Sequence, residues 1–393
     1  MKYDVFYAGL YLFLSAQAFA GTETVATHFV ITNKTIEEAK IIDGTTTASG
    51  ARILNTGSDI YSVSDDFRSA DLTELKDRNI IQNGFNQQPG LKRDTSLFQV
   101  EMEGQILHHK FKVKGKYANS SLRIEKQPSS GLITYSLGDK VDTIGCSSVA
   151  PTDSREQLPP NIQFFIKASS DVNSDCTGGT RYITFPVSSG MKLVSTGESR
   201  EVYLDLGALQ RDKAYRDAPP DIYTGEGIYN GEKLRSHNVH HYTLGYRSVI
   251  EIIKNPYFEN VSLPSGGDNI FSVRKVGNEI RGDLVIPYVI NGHFTPYNKI
   301  TLSLDPQKSN FKLKNTSDPA KEIPYSLSTG IGRQSEYSLV TEGSYTGPIY
   351  LTNLTNENHS LQGRFNASFS IDAASVSTGE YTDTLTAIFE IAL

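Results

Sequence analysis

The sequence predicts an all-β protein built as two β-sandwich domains, and three observations lead there. Short runs of alternating apolar and polar residues dominate, helical periodicity is scarce, and 393 residues are too many for one ordinary core. The runs are bounded mostly by Gly, Pro, Asn or Ser, the pattern of antiparallel strands joined by turns.

At the amino end, Lys2 precedes an apolar run from Val5 to Leu14, and Ala18-Phe19-Ala20 stands before Gly21. That is the pattern of a secretory signal peptide over residues 1–20, with export of the remainder. No other stretch approaches the roughly 18 unbroken apolar residues of a membrane helix. Val25, Thr27, Phe29 and Ile31 then alternate in a first strand, Glu23 to Thr32. Ile36–Lys40 and Leu72–Lys76 read as a helical turn or two each. Ser96–Met102, Gly131–Leu137, Arg181–Val187, Glu201–Leu206 and Tyr246–Ile253 read as strands, and Leu206–Gln210 as a short helical connection.

The seam is expected at the Pro/Gly/Ser cluster Leu263–Asn269. It leaves residues 21–264 as a larger domain and 265–393 as a smaller one, the second the size of a single immunoglobulin-like sandwich. In that second part Phe311–Asn315, Ile323–Leu327 and Arg364–Ile371 read as strands, and Gly379–Leu393 as one long terminal strand. Tyr381, Asp383, Leu385, Ala387, Phe389, Ile391 and Leu393 share one face of it, and Thr382, Thr384, Thr386 and Glu390 the other. Nothing in the sequence follows to cover its far edge. Two short echoes, Ile133–Leu137 with Ile323–Leu327 and Pro220–Gly225 with Thr378–Asp383, favour related sandwiches only slightly.

A formal charge of −6 gives no overall pull toward nucleic acid. Cys146 and Cys176 are the only cysteines, and in an exported chain an even pair is most simply one disulfide. No G-x-S-x-G, H-E-x-x-H or phosphate loop occurs, so neither an enzyme, a cofactor nor a metal is expected. His237, His240 and His241 lie close in sequence, but on a strand His240 points away from the other two and no acidic or thiol ligand sits near.

The strongest local charge feature is His108–Tyr117. Lys110, Lys112, Lys114 and Lys116 occupy one face of a strand and Phe111, Val113 and Tyr117 the other, so packing the apolar face turns four ammonium groups outward. Such a row suits an anionic ligand, a sulfated or sialylated glycan or an acidic lipid headgroup, and equally suits a solubilised strand edge. Arg123 and Arg181 can add bidentate contacts to carboxylate or sulfate. There is no Trp, so any sugar-stacking platform must use Tyr or Phe.

Gly379-Glu-Tyr-Thr-Asp-Thr-Leu-Thr-Ala-Ile388 resembles the G-x-Y-x-D-x-L-x-V-x-I ending of chaperone-usher pilus subunits, and Phe311–Asn315 with Ile323–Leu327 is similar to their middle strands. The resemblance covers roughly residues 265–393. It implies an incomplete immunoglobulin-like pilin fold lacking its final strand, in which Gly379, Tyr381, Asp383, Leu385, Phe389 and Ile391 form the last strand of the subunit. A periplasmic chaperone, an outer-membrane usher and the donor strand of an adjacent pilin subunit are the implied partners. The position and size of residues 21–264 resemble the receptor-binding half of two-domain tip adhesins of the colonisation-factor type, implying export to the tip of a fimbrium and a host-cell glycan or glycolipid as receptor. A shaft or assembly-initiating subunit, in which Glu23 to Thr32 would be a donor strand, and a secreted carbohydrate-active enzyme are the rival readings.

Overall fold

A computed structural model describes residues 22–48, 50–68, 86–87, 90–127, 136–137, 141–149, 161–186, 192–235, 241–295, 298–308, 310–332, 336–352, 354 and 360–392. The expected leader and the expected turn at Leu72–Lys76 lie outside these residues. Among them nearly every element is a strand. Contacts divide the chain into two compact units, one of Met1–Phe29, Ile36–Ala218 and Tyr223–Ile252, the other of Val30–Thr35, Pro219–Ile222 and Ile253–Leu393.

The first unit is organised on one large antiparallel sheet. Its order runs Thr35–Ile41, Thr22–Thr32, His241–Asn255, Asp221–Arg235, Leu97–Gly104, Lys110–Gln127, Lys192–Asp205, Ile60–Arg68, Arg52–Asn55. The Lys110–Gln127 strand is the hub. Lys110 to Lys116 pair with Glu103 to Leu97 on one side, and beyond them Asn119 to Glu125 pair with Lys167 to Asn161. The exchange falls beside a bulge, where Glu201 faces Asn119 but Val202 faces Tyr117. Such an extra residue bends a strand and lets it leave one partner for the next.

Tyrosine takes the place of tryptophan in this core. Tyr117 and Tyr229 stack with ring centroids 4.3 Å apart, and Phe111 packs on Tyr223 at 4.7 Å and Tyr215 at 5.1 Å. The expected helical connection is present as Leu206–Arg211, where the Asp205 carboxylate accepts a hydrogen bond of 2.7 Å from the Ala208 amide. That cap satisfies an otherwise orphaned donor of the first turn. Ile36–Lys40 is not helical. It lies within the edge strand Thr35–Ile41, and Glu37, Glu38 and Lys40 are exposed there. Charges on an edge strand deter pairing with another chain, and they also mimic the spacing of a polar helix face.

Cys146 and Cys176 are disulfide-bonded as expected, with Cα atoms 5.1 Å apart. Beside the bridge the Asp175 carboxylate accepts from Ser96 N at 2.6 Å, Cys176 N at 2.7 Å, Ser96 Oγ at 2.8 Å and Thr95 Oγ at 2.9 Å. Burial alone would raise its pKa; the donated hydrogen bonds outweigh that and hold it below the ordinary 3.8. A depressed folded-state pKa contributes stability above the unfolded value that is lost as pH falls through the folded one. Urea unfolding of Asp175→Asn is therefore expected to show lower stability than the parent at neutral pH, with the gap closing as pH drops below about 3.8. A constant gap across that range would contradict this account.

The second unit is a two-layer sandwich. One layer runs Tyr257–Ser262, Glu279–His293, Ser360–Asp372, Ser326–Ile331, Tyr337–Thr341, Ser344–Tyr345, and Ser272–Val276 adds to the same side of Glu279–His293 as Tyr257–Ser262. The other layer holds Ile349–Leu351, Lys299–Leu304, Ala387–Ala392 and, beside them, Glu322–Pro324, Lys312–Asn315, Tyr381–Thr382. Both layers feed one core, in which Tyr288 meets Phe365 at 4.7 Å and Phe389 at 5.3 Å. Two rings lie flat over glycines of the facing strand. A Cβ on Gly363 would stand 2.2 Å from the Tyr288 ring, and one on Gly282 2.2 Å from that of Phe369. The missing side chains are what admit the rings to the sheet surface.

Candidate functional site

The terminal segment expected as one strand is two. Tyr381–Thr382 pairs with Lys312–Asn315, and Ala387–Ala392 pairs with Lys299–Leu304. Between them Asp383 is drawn out of the ladder. Its carboxylate forms an ion pair with Lys308 and accepts from the Tyr325 hydroxyl at 2.8 Å, while the Lys308 ammonium also donates to the Thr384 carbonyl at 2.5 Å. Burial, and then the hydrogen bond to Asp383, push the Tyr325 phenol far up. Side-chain clasping thus replaces ladder bonds where the segment changes partners. Upstream, Gly379 has φ +148°, and a Cβ there would meet Asn315 Nδ2 at 2.6 Å. Tyr381 closes this end, its hydroxyl accepting from Ser377 N at 3.2 Å.

One edge of Ala387–Ala392 has no partner among the described residues. The core beside it is correspondingly unfinished. Leu385, Ala387, Phe389 and Ile391 reach the shared core but are only partly buried. The Glu279–His293 strand records the same boundary on the other layer: Tyr288 and Ile290 are closed at 1% and 0% exposure, whereas Ile280, Leu284 and Ile286 on the same face are half-buried. Phe271 and Ile371 are also half-buried, and every residue of Ser272–Val276 is exposed. A groove with an open backbone edge and alternate apolar side chains as its floor fits an extended segment that presents apolar residues at every second position. The Glu279–His293 strand was not singled out in the sequence, although Ile280, Leu284 and Ile286 alternate there with Arg281, Asp283 and Val285.

The basic row of the first unit breaks up. Lys110 is exposed and ion-paired to Glu103 at 2.9 Å and Glu101 at 3.4 Å. Lys112 and Lys114 are exposed and make no ion pair among the described residues. Lys116, expected to face outward with them, is wholly buried. Its ammonium donates to the Asp171 carbonyl at 2.7 Å and lies 3.3 Å from Ser174 Oγ and 3.4 Å from Ser169 Oγ. Alternation does place it on the outer face; the 169–175 segment then closes over it. Desolvation lowers its pKa, against the nearby Asp171 and Asp175. A second buried cation, Arg93, was not singled out in the sequence. Its guanidinium donates to the Ala118 carbonyl at 2.9 Å, the Tyr117 carbonyl at 3.1 Å and Ser120 Oγ at 3.1 Å.

Arg123 is exposed on the same strand, nine residues beyond Lys114, which at about 3.3 Å per residue is roughly 30 Å away. Arg181 is partly buried, after the short Gly178–Gly179 strand. The six expected cationic residues therefore do not form one patch. His237 and His240 lie outside the described residues, and among those residues no group of three or more His, Cys, Asp or Glu is placed to hold a metal ion. None of the described helices is long and apolar enough to cross a membrane.

No protein-family model and no curated protein matches the chain. Solved structures similar to it include CfaE, the adhesive subunit of the CFA/I fimbria of enterotoxigenic Escherichia coli, at 10% identity over 95% of this chain and 98% of that one, with a TM-score of 0.36. A mutant of the same adhesin is 11% identical over 94% and 92%, with a TM-score of 0.43. The chaperone-tip adhesion subunit complex of the archaic chaperone-usher Csu pili of Acinetobacter baumannii is 8% identical over 94% and 99%, with a TM-score of 0.30.

Proposed function

We propose that the chain is a non-enzymatic tip adhesin of a chaperone-usher fimbrium, whose second unit joins the fibre by accepting a strand from another protein and whose first unit binds a host-cell glycoconjugate. The observation that carries this reading is the unfinished core of the second unit, half-buried along Leu385 to Ile391 and along Ile280 to Ile286. An added strand would hydrogen-bond to the open edge of Ala387–Ala392 and set alternate side chains on that floor. During export a periplasmic chaperone would occupy the groove, and at the outer-membrane usher the extension of the adjacent subunit would replace it. Residues 265–393 serve in this reading as the pilin domain and residues 21–264 as the receptor-binding domain.

The amino-terminal strand supports the tip position. Val25, Ala26, Thr27 and Phe29 are buried, and Thr22–Thr32 lies between two strands of its own sheet. A strand so engaged is not available for donation to a preceding subunit.

Two measurements test the reading. The full chain is expected to co-purify from the periplasm with an immunoglobulin-like chaperone, and removal of Ala387 to Leu393 should abolish the complex. Gold labelling of intact fibres should mark ends only. Labelling along the shaft would instead identify a structural subunit.

A further inference from the structure

Resting on the adhesin reading, we infer that the receptor subsite is a cleft between the Leu97–Gly104 and Lys110–Gln127 strands and the loop at Val172–Asn173, and that it takes one anionic sugar residue. The cleft is an open depression of about 360 Å³, lined by Leu97, Phe98, Gln99, Lys114, Gly115, Val172 and Asn173. That size is at the lower end of the roughly 300–1,000 Å³ typical of small-ligand sites, matching a monosaccharide unit better than an extended chain.

Local structure makes the cleft. Phe98 and Gly115 face each other across the ladder, as do Gln99 and Lys114. A Cβ on Gly115 would fall 2.3 Å from the Phe98 ring, which lies with Tyr229 at 6.1 Å on the core face of these strands, while Leu97, Gln99 and Lys114 stand together on the other face. Leu97 stands opposite Lys116, and the same 169–175 segment that seals the Lys116 ammonium brings Val172 and Asn173 up as the far wall. The sealed lysine and the tethering disulfide at Cys176 fix that wall to the sheet.

The lining has the three chemistries an acidic pyranose needs. Leu97, 36% exposed, offers apolar surface to the C–H face of a ring. Gln99 and Asn173 are exposed carboxamides, each able to donate to and accept from a hydroxyl, and neither side chain is engaged elsewhere among the described residues. Lys114 is the cleft's one ammonium and has no carboxylate partner there. The neighbouring Lys110 is neutralised by Glu101 and Glu103, and Lys116 is buried, so of the original row Lys114 is the lysine both uncommitted and in the cleft. A carboxylate or sulfate on the sugar would complete the site.

The test is a ligand-observed NMR titration of the full chain with sialyl-lactose, sulfated lactose and unmodified lactose, alongside adherence of fimbriated cells. At least one acidic sugar is expected to bind ten times more tightly than lactose, and the better of the two identifies carboxylate or sulfate as the anion. Lys114→Ala should weaken that binding tenfold or more and Asn173→Ala at least threefold, while Lys112→Ala, on the same face but outside the cleft, should change it less than twofold. No preference for either acidic sugar overturns the subsite. Equal losses from Lys112→Ala and Lys114→Ala overturn it too, since they indicate diffuse charge. Adherence that survives Lys114→Ala removes the cleft and leaves the adhesin reading standing, whereas a parent chain that confers no adherence removes the adhesin reading and leaves the titration to judge the cleft.

Discussion

Saturating the purified chain with a peptide that alternates apolar and polar residues is expected to raise the unfolding midpoint of the second unit by roughly 10–15 °C. Four or five side chains set on the half-buried floor would contribute about 6–15 kcal/mol before the peptide's ordering is charged against them. At a thousandfold excess over the dissociation constant the surviving gain is about 4 kcal/mol, and for a unit of this size each kcal/mol moves the midpoint by a few degrees. The register supplies the control. A peptide with serine at each apolar position should produce no shift, because it keeps the ladder bonds and loses the burial. Leu284→Glu should likewise suppress the shift by placing a carboxylate in the floor. An unchanged midpoint with the apolar peptide would remove strand acceptance as the joining mechanism.

The second large effect is expected at the disulfide. Replacing Cys146 and Cys176 together with alanine should lower the stability of the first unit by about 3–4 kcal/mol, the chain-entropy value for a closed loop of this length. Cys176 also lies against the guanidinium of Arg93, with Nη1 to Sγ at 3.3 Å, and its amide donates to Ser96 Oγ at 2.8 Å. The replacement therefore loosens the segment that covers Lys116 as well as freeing the unfolded chain. Urea midpoints of the oxidised parent, the reduced parent and the double variant should fall in two groups, the last two together. A double variant as stable as the oxidised parent would contradict the assignment.

Much of this architecture is legible in the residues themselves. The alternation of Phe365, Ala367 and Phe369 with polar neighbours, or of Phe111 and Val113 with lysines, states both the strand and its buried face. Leu206–Gln210 announces its helix through an Asp cap and through Leu206, Ala208, Leu209 and Gln210, good helix formers around the single Gly207. What is not legible depends on distant sequence. Lys116 has the same local pattern as Lys110 to Lys114, and only the arrival of Asp171 and Ser174 some fifty-five residues later turns an outward cation into an interior one. The terminal strand reads as continuous because Asp383 keeps the alternation, yet Lys308 and Tyr325 recruit that carboxylate and divide the strand. Val172 and Asn173 give no local sign that they border a cleft, since that wall exists only where the 169–175 segment meets strands more than fifty residues earlier in the chain.

The hub position of Lys110–Gln127 also sets the order in which the first unit can assemble. Its pairing with Leu97–Gly104 closes across a five-residue connection and can form within microseconds, as hairpins do. Its pairing with Lys192–Asp205 must wait for a much longer loop to close, and such non-local ladders are the slow ones. The Cys146–Cys176 bond lies inside that loop and ties off thirty of its residues. Oxidation before the late strand arrives therefore shortens the wait, and it keeps the open edge of the hub exposed to other chains for less time.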